Sequence, residues 1–319
     1  MADWLHNRNA IVTGAARGVG LAVAQTLALL GARVLMVDNG CAVDGAPEDA
    51  AVTELAASRV PGAEPLVIDV AAPGSGERIV EAALRHFGSV DLVVHGAGIL
   101  ASPPPAGASE VMPGAPASRA ASVRAALERV FAVDVLGAAE LFEAVEPVLR
   151  RQIVDGRVPG AIVSLIAAEA LYGDAELVCE SVGKAGLLAL TRSMSHRVAP
   201  LGVACNAVIP MAGTRQANVA TAWCDDRQAF QASLRPLTPT LVANLIAWLC
   251  TPLAAGINGQ VFMARGREVM VFSQGRPANS FFQSQILEPD ELAQSMKALR
   301  RDLADDWSVF DAFGNDPIP

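Results

Sequence analysis

The stretch from Asn9 to Leu30 constrains the fold of this chain more than any other. Its residues Ala10-Ile11-Val12 predict a short buried strand, and the apolar run from Leu21 predicts a helix. Between them lies Thr13-Gly14-Ala15-Ala16-Arg17-Gly18-Val19-Gly20. Glycines let a backbone approach a pyrophosphate closely, and the start of a helix offers N–H groups and the positive end of a dipole. The pattern predicts a phosphate site, although such a turn also occurs without a ligand.

A second buried strand, Arg33-Val34-Leu35-Met36-Val37-Asp38, follows at the distance typical of such a unit and ends in an acid. A carboxylate at this place can accept hydrogen bonds from an adenosine ribose, and it repels a 2′-phosphate. Asp38 therefore predicts NAD in preference to NADP. Ligands of parallel sheets bind at the carboxyl ends of strands, where Asp69 and the segment Gly96-Ala97-Gly98 also fall.

Strands and helices alternate along the chain as far as Ala264. Continuous apolar strands need cover on two sides, so we expect an α/β fold: a doubly wound parallel sheet of about seven strands with helices on both faces. The helix over 118–151 is expected to kink at Gly137 and to break at Pro147. The other predicted strands are 65–70, 91–95, 161–166, 203–209 and 260–264, and the other predicted helices are 48–59, 77–87, 175–198 and 240–250.

Residues 101–117 and 211–239 interrupt the alternation and predict loops, and we interpret the second as a substrate lid. No internal repeat is present, so we predict one domain over residues 1–270 and a C-terminal extension over 271–319. The extension contains a predicted helix from Pro289 to about Asp302. Its aromatic residues Trp307, Phe310 and Phe313 predict docking on the domain or on a neighbouring subunit.

Composition excludes several classes of partner. The chain has 24 Lys and Arg against 33 Asp and Glu, a net charge of −9 that disfavours nucleic acids and anionic membranes. No signal peptide or membrane-spanning run is predicted from the sequence. The 5 cysteines are scattered without a CxxC pair, which predicts a reducing, cytoplasmic location and no metal site.

From Asn9 to Ala264 the chain resembles the short-chain dehydrogenase/reductase family. The resemblance rests on Thr13-Gly14 with Gly18 and Gly20, on Asp69-Val70, on His95-Gly96-Ala97-Gly98, on Asn206-Ala207-Val208-Ile209-Pro210 and on Ile257-Asn258-Gly259-Gln260. The family has two asparagines at the start of the third motif, where this chain has His95 and Gly96. The family also has a glycine where this chain has Met211.

Finer motifs resemble the (3R)-hydroxyacyl-CoA dehydrogenase unit of multifunctional β-oxidation enzymes. They are Leu171-Tyr172-Gly173, Pro210-Met211-Ala212-Gly213-Thr214-Arg215 and Trp248-Leu249-Cys250. The resemblance implies a Rossmann-like fold, bound NAD, an acyl-CoA-like or polycyclic substrate, and association with a second copy or a family relative through long helices. It implies cofactor contacts at Gly14, Arg17, Gly18, Val19, Gly20, Asp38, Asp69, Val70, Gly96, Ala97, Gly98, Lys184, Pro210 and Thr214.

The catalytic residues that the family uses are largely replaced. Family members combine a tyrosine, a lysine four residues later, a serine and an asparagine. Lys184 stands at the lysine position, but Glu180, Ala167 and Asp134 stand at the other three. The single tyrosine, Tyr172, lies too far from Lys184 in sequence to take the missing role. Ser164 lies an odd number of positions from Ala167, so its side chain should face the other side of the strand.

Glu180 is a poor substitute for a phenol. Its ordinary pKa is about 4.3 against about 10 for tyrosine, and an ionised carboxylate has no proton to donate to a developing alkoxide. A nearby Lys184 favours the ionised form. We therefore expect no ordinary alcohol–ketone redox reaction at this site.

Three interpretations remain open. The chain is a partner subunit of an active relative, or an acid–base catalyst of a non-redox reaction such as dehydration, isomerisation or cyclisation, or an unconventional dehydrogenase that uses another donor such as Tyr172. The second predicts that Glu180, Asp134, His95 and Lys184 line one pocket. Each group also has a simpler role: His95 as a buried strand-end histidine, Asp134 as an ion-pair partner of Lys184, and Glu180 as a surface partner of Lys184.

Overall fold

The computed structural model describes residues 3–101, 119–219 and 232–273, together with the single positions 275, 289 and 293. Eight strands form one sheet in the spatial order β3-β2-β1-β4-β5-β6-β7-β8. They are β1 (Asn9–Thr13), β2 (Arg33–Asp38), β3 (Ala63–Val67), β4 (Leu92–His95), β5 (Ala161–Leu165), β6 (Ala204–Met211), β7 (Val261–Arg265) and β8 (Glu268–Phe272).

Helices connect these strands. They are α1 (Gly18–Leu29), α2 (Ala51–Ala57), α3 (Ser75–Phe87), α4 (Arg119–Val130), α5 (Gly137–Val154), α6 (Glu169–Tyr172), α7 (Val178–Val198), α8 (Arg215–Val219) and α9 (Pro239–Leu249). A π-helical segment, Phe131–Leu136, joins α4 to α5. Short 3-10 turns at Ala199–Leu201 and Pro252–Ala254 follow α7 and α9.

The chain direction across the sheet creates a crevice. The first seven strands are parallel. From the central neighbours β1 and β4, the strands β2 and β3 are added on one side and β5, β6 and β7 on the other, so the strand order reverses between β1 and β4. Ligands of doubly wound sheets bind at such a switch point, beyond the carboxyl ends of the strands. The predicted doubly wound α/β fold is confirmed, and it places the ends of β1 and β4 at the centre of the candidate site.

Both faces of the central strands β1, β4, β5 and β7 are buried, as the continuous apolar strands predict. Alternate residues of a strand point to opposite faces, so Ile11 joins the core beneath α3, α5 and α7, whereas Val12 joins the core beneath α1 and α9. Ile11 and Val12 are both fully buried. The sheet therefore lies between two helical layers, and loops form the surface at the carboxyl ends of its strands.

The edge of the sheet differs from the prediction of about seven parallel strands. An eighth strand, β8, runs antiparallel to β7 and pairs with it from Val261↔Phe272 to Arg265↔Glu268. The turn between them contains Gly266 at φ 57°, a left-handed conformation that glycine adopts readily. The hairpin extends the sheet through Phe272, so the predicted domain boundary at 270 falls inside a strand.

The prediction that Pro147 breaks a helix is wrong. Pro147 lies inside α5, where its ring is exposed while Leu141, Phe142, Val145 and Leu149 of the same helix are buried. The apolar face holds α5 against the sheet and offsets the one backbone hydrogen bond that a proline removes. The predicted kink at Gly137 corresponds to the end of the π-helical segment.

Several predicted boundaries also move. Helix α2 begins at Ala51 rather than at 48, β3 ends at Val67 rather than at 70, and the helix predicted over 175–198 begins at Val178 after the short α6. The loop after Ala101, residues 220–231 of the predicted lid, the extension helix apart from positions 289 and 293, and the aromatic residues Trp307, Phe310 and Phe313 lie outside the described residues. No helix within the described part of the chain is long and apolar enough to cross a membrane.

A buried carboxylate ties the opposite, amino-terminal edge of the sheet together. Asp91 precedes β4, and its side chain is 1% exposed. It accepts hydrogen bonds from the backbone N–H of Asn9 at 2.8 Å and from the Arg157 guanidinium, whose Nη2 lies 2.6 Å from Oδ2. Arg8 Nη1 lies 3.5 Å from Oδ1. One acid thus joins β1, β4 and the segment before β5.

We expect Asp91→Asn to lower the free energy of unfolding by about 3 kcal/mol, because it leaves two guanidinium groups without their buried counterion. The matched control is Glu143→Gln, which breaks an exposed pair with Arg197 and should cost less than about 1 kcal/mol. Urea unfolding of both variants measures the difference. Equal losses of unfolding free energy in the two variants would show that the burial of Asp91 adds nothing to its stabilising effect.

Candidate functional site

A cavity of about 720 Å³ lies at the carboxyl edge of the sheet. Its wall is formed by the loops that follow β1 to β6 and by the facing surface of α7. Every residue that the resemblance assigns to the cofactor lines this cavity, from Gly14 in the first loop to Thr214 in the last. Their role in binding stays a prediction, but the fold brings all of them to one site.

The glycine loop is shaped by backbone packing. Gly14 has φ 67°, and a Cβ atom there would lie 2.6 Å from the Gly96 carbonyl oxygen. A Cβ at Gly20 would lie 2.1 Å from the Gly14 oxygen, whereas one at Gly18 would meet only the Thr214 side chain, at 3.6 Å. The loop therefore presents bare backbone to the cavity next to the first turn of α1. This cradle fits a pyrophosphate, as the sequence pattern predicts.

Asp38 lies at one end of the cavity and is held by the glycine loop. Its Oδ2 accepts the N–H of Ala16 at 3.0 Å, and its Oδ1 accepts the N–H of Gly40 at 2.8 Å. Asp69 and Val70 line the same end. These contacts orient the Asp38 carboxylate at the edge of the cavity, where an adenosine ribose is expected.

Two arginines meet one carboxylate beside Asp38. Arg17 Nη1 lies 2.8 Å from Glu48 Oε2, and Arg215 Nη1 lies 3.1 Å from the same oxygen. Both guanidinium groups also donate to the Cys41 carbonyl oxygen, at 3.2 and 3.5 Å. The cluster connects the glycine loop, the β2–α2 loop and the start of α8.

Lys184 lines the cavity, and Asp134 lies behind it. The Lys184 Nζ is 3.1 Å from Asp134 Oδ2 and 3.5 Å from the Leu165 carbonyl oxygen. Asp134 is fully buried in the π-helical segment, and its Oδ1 accepts the N–H of Ile99 at 3.3 Å. Burial raises the pKa of the Asp134 carboxyl, and the Lys184 charge opposes that shift. Asp134 is thus a counterion of Lys184 and does not reach the cavity surface.

His95 lies in the core rather than in the cavity. Its Nδ1 is 3.1 Å from the Thr13 hydroxyl, and its ring packs edge-on to Phe142 at 6.2 Å. The Thr13 oxygen accepts the N–H groups of Gly96 and Ala97, so its own hydrogen is directed to His95. Burial, followed by the Lys184 charge, lowers the pKa of His95 to about 3.

The expectation that four titratable groups line one pocket is therefore wrong for His95 and Asp134. Thr13 and His95 are cross-strand neighbours and share a face of the sheet, the one covered by α5. Strand alternation turns the His95 side chain into that core. Glu180 and Lys184 do line the cavity together, one helical turn apart on α7.

Apolar and charged side chains line the cavity together with Glu180 and Lys184. The apolar ones include Leu165, Ala167, Leu177 and Met211, and the charged ones include Arg129 and Glu169. Among the described residues that line the cavity there is no serine and no tyrosine. Ser164 is buried, and its hydroxyl lies 2.7 Å from the Thr191 hydroxyl, in agreement with the predicted strand alternation.

Sequence reasoning missed several cavity residues. Arg129 and Glu169 line the cavity and carry no motif. Glu48 does not line it but pairs with Arg215, a lining residue 167 positions away. The pair Asn39-Gly40 indicated a loop at this place, but nothing in the sequence indicated what the loop would touch. No group of three or more His, Cys, Asp or Glu side chains suited to a metal ion occurs in the described segments.

The family model described as enoyl-(acyl carrier protein) reductase matches residues 14–266. The chain belongs to the short-chain dehydrogenase/reductase family. Relatives in this family are oxidoreductases that use a nicotinamide cofactor. The match of the glycine loop, Asp38 and Lys184 to the family's cofactor positions stays a prediction. The match covers the whole cavity wall and ends at the β7–β8 turn.

Known proteins agree with this assignment. A hydroxyacyl-CoA dehydrogenase of Mycobacterium tuberculosis is 30% identical over 275 residues, which cover 84% of this chain and 80% of the relative. A short chain dehydrogenase from Mycobacterium avium has a TM-score of 0.72 at 24% identity, over 93% of this chain and 95% of that one. A 3-ketoacyl-(acyl-carrier-protein) reductase from Brucella melitensis, solved with NADH, has a TM-score of 0.66 at 25% identity, over 82% and 98%.

The buried, neutral His95 predicts a loss of stability in acid. A histidine of the unfolded chain binds a proton near pH 6.5, whereas the pKa of folded His95 is about 3. As the pH falls below about 6.5 the unfolded state binds the extra proton, and the free energy of unfolding falls by up to about 1.4 kcal/mol per pH unit.

We expect His95→Leu to reduce this slope in urea unfolding measured between about pH 7 and pH 5. The control is His196→Leu, at an exposed position of α7, which should retain the slope of the unaltered protein. An unchanged slope in His95→Leu would contradict the assignment of His95 as the buried neutral group.

Proposed function

We propose that this chain binds NAD(H) in the 720 Å³ cavity and does not catalyse the ordinary alcohol–ketone redox reaction of its family. One observation carries the proposal: the glycine loop, Asp38 and Lys184 line one cavity, in which Ala167 and Glu180 stand beside Lys184. A bound nicotinamide dinucleotide supplies a hydride or accepts one. The side chains that would exchange the proton with an alcohol or ketone are the ones replaced here.

The residues that would hold the dinucleotide are distributed along the cavity. The backbone of the glycine loop would hold the pyrophosphate, Asp38 the adenosine ribose, and Asp69 with Val70 the adenine. Lys184, kept in position by Asp134, would bind the nicotinamide ribose. Gly96, Ala97, Gly98, Pro210 and Thr214 would contact the cofactor along the facing wall.

The preference for NAD is tested by titration of the full chain with NADH and NADPH in a calorimeter. We expect NADH to bind more tightly than NADPH, and Asp38→Asn to weaken NADH binding by about tenfold, because it removes a charged acceptor of the ribose hydroxyls. Asp155→Asn, at the opposite edge of the sheet, is the matched control. Unchanged NADH affinity in Asp38→Asn would contradict the proposed site.

A partner role is supported by exposed apolar side chains on the helices beside the cavity. Val178 and Val182 of α7 are 45% and 41% exposed, and Leu136 of the π-helical segment is 57% exposed. Such side chains favour association through this helical layer, with a second copy or with a family relative. In this role the chain would hold cofactor or substrate for a subunit that has an intact tyrosine and lysine pair. Its cytoplasmic location is part of the proposal and is supported by the absence of disulfides among the described cysteines.

A second candidate is non-redox acid–base catalysis by Glu180 on an acyl-CoA-like or polycyclic substrate. It is favoured by a carboxylate in the cavity wall one helical turn from Lys184, which has a separate counterion in Asp134. A carboxylate in such surroundings can remove a proton next to a thioester carbonyl and return it elsewhere. The hydroxyacyl-CoA dehydrogenase relative supports the thioester class.

The two roles differ in what the chain does alone. With a (3R)-hydroxyacyl-CoA and NAD⁺ we expect no formation of NADH, because Glu180 cannot replace the phenol. Formation of an enoyl-CoA by the purified chain, lost in Glu180→Gln and retained in Glu176→Gln, would establish the acid–base role. No reaction alone, with a rate increase on addition of an active family member, would establish the partner role. Rapid NADH formation would instead show an unconventional dehydrogenase.

A further inference from the structure

The cluster of Arg17, Glu48 and Arg215 stands at the adenosine end of the proposed dinucleotide site. The N–H of Ala16 binds Asp38, so Arg17 follows directly after a residue that touches that carboxylate. Cys41, whose carbonyl oxygen both arginines share, lies three positions after Asp38. Arg17, Arg215 and Asp38 all line the cavity. Two guanidinium groups thus stand beside the place where the adenosine ribose is expected.

Two guanidinium groups that converge on one point form a strong phosphate site, because each offers several N–H donors and a permanent charge. Glu48 occupies that point in this structure. Its Oε2 lies 2.8 Å from Arg17 Nη1 and 3.1 Å from Arg215 Nη1. The local charges are the two cations against three carboxylates, those of Glu48, Asp38 and Asp69. Removal of the Glu48 charge would leave two cations against two carboxylates and would free both guanidinium groups beside the ribose.

We propose that Glu48 is a selectivity residue of the cofactor site: its carboxylate occupies Arg17 and Arg215 and so excludes a 2′-phosphate. This inference rests on the proposed binding of a dinucleotide. A 2′-phosphorylated ribose would have to displace Glu48 from both arginines or accept its repulsion. A ribose with free hydroxyl groups neither displaces Glu48 nor is repelled by it.

Asp38 alone gives a weaker explanation of selectivity. Both of its oxygens already accept backbone N–H groups, from Ala16 and Gly40, and these donors offset part of its charge. Glu48 instead sits on the β2–α2 loop with its side chain 47% exposed, and it reaches the arginines from outside the sheet. The structure therefore assigns the exclusion of the phosphate jointly to an inner and an outer carboxylate.

The test uses the full chain and calorimetric titration with NADH and with NADPH. Glu48→Gln keeps the length of the side chain and removes its charge. We expect the ratio of the NADPH Kd to the NADH Kd to fall by about tenfold, with the NADH Kd itself changed by less than about threefold. Arg17→Gln added to Glu48→Gln should restore most of the original ratio, because it removes one of the two cations exposed by the first change.

Asp44→Asn is the matched control. Asp44 lies on the same loop, does not line the cavity, and binds the N–H of Ala46 through Oδ1, an acceptor that asparagine retains. The variant loses the same charge and should keep the ratio of the unaltered chain. An equal change in both variants would mean that the net charge of the loop, not Glu48, acts on the ratio.

The remaining outcomes separate this inference from the proposed function. NADH binding with an unchanged ratio in Glu48→Gln would overturn the inference and leave the proposed function intact. Equal weakening of both dinucleotides would overturn it as well, because Glu48 would then only hold the loop. Failure of the unaltered chain to bind either dinucleotide would overturn the proposed function and the inference with it.

Discussion

The site depends on one backbone contact at the centre of the sheet. The loops that follow β1 and β4 approach so closely that a Cβ atom on Gly14 would lie 2.6 Å from the Gly96 oxygen. Thr13 strengthens this contact, since its hydroxyl accepts the N–H groups of Gly96 and Ala97. The glycine loop is thereby fixed against its neighbour before any ligand binds. The cavity forms where the two loops turn away to opposite sides of the sheet.

Two sets of paired charges lie at different ends of this cavity. At one end Asp134 balances Lys184 from inside the core, at 3.1 Å. At the other end Glu48 balances Arg17 and Arg215 from the outer loop. Loss of a buried counterion is costly, whereas loss of a half-exposed one mainly changes which ligands the site admits. The inner pair therefore orients a side chain, and the outer cluster selects a ligand.

Much of the fold and of the candidate site could be predicted because the signals are local. The strand, glycine turn, helix and acid from Asn9 to Asp38 lie within one βα unit, and their periodicity identifies each element. Local signals also mislead: Pro147 predicted a break that the buried face of α5 overrides. The strand β8 was missed although residues 269–272 are all apolar, because it pairs antiparallel with β7 after the alternation of strands and helices has ended.

The sequence by itself determined the α/β alternation and the family, and it predicts that Glu180 and Ala167 replace the family's tyrosine and serine. These follow from residue order and from the period of the apolar pattern, which need no knowledge of distant contacts. Only the tertiary structure decided that His95 turns into the core, that Asp134 stands behind Lys184, and that Glu48 bridges two arginines. Each of these contacts joins residues from separate segments of the chain that lie within a few ångströms of one another. Packing, rather than sequence spacing, sets such distances.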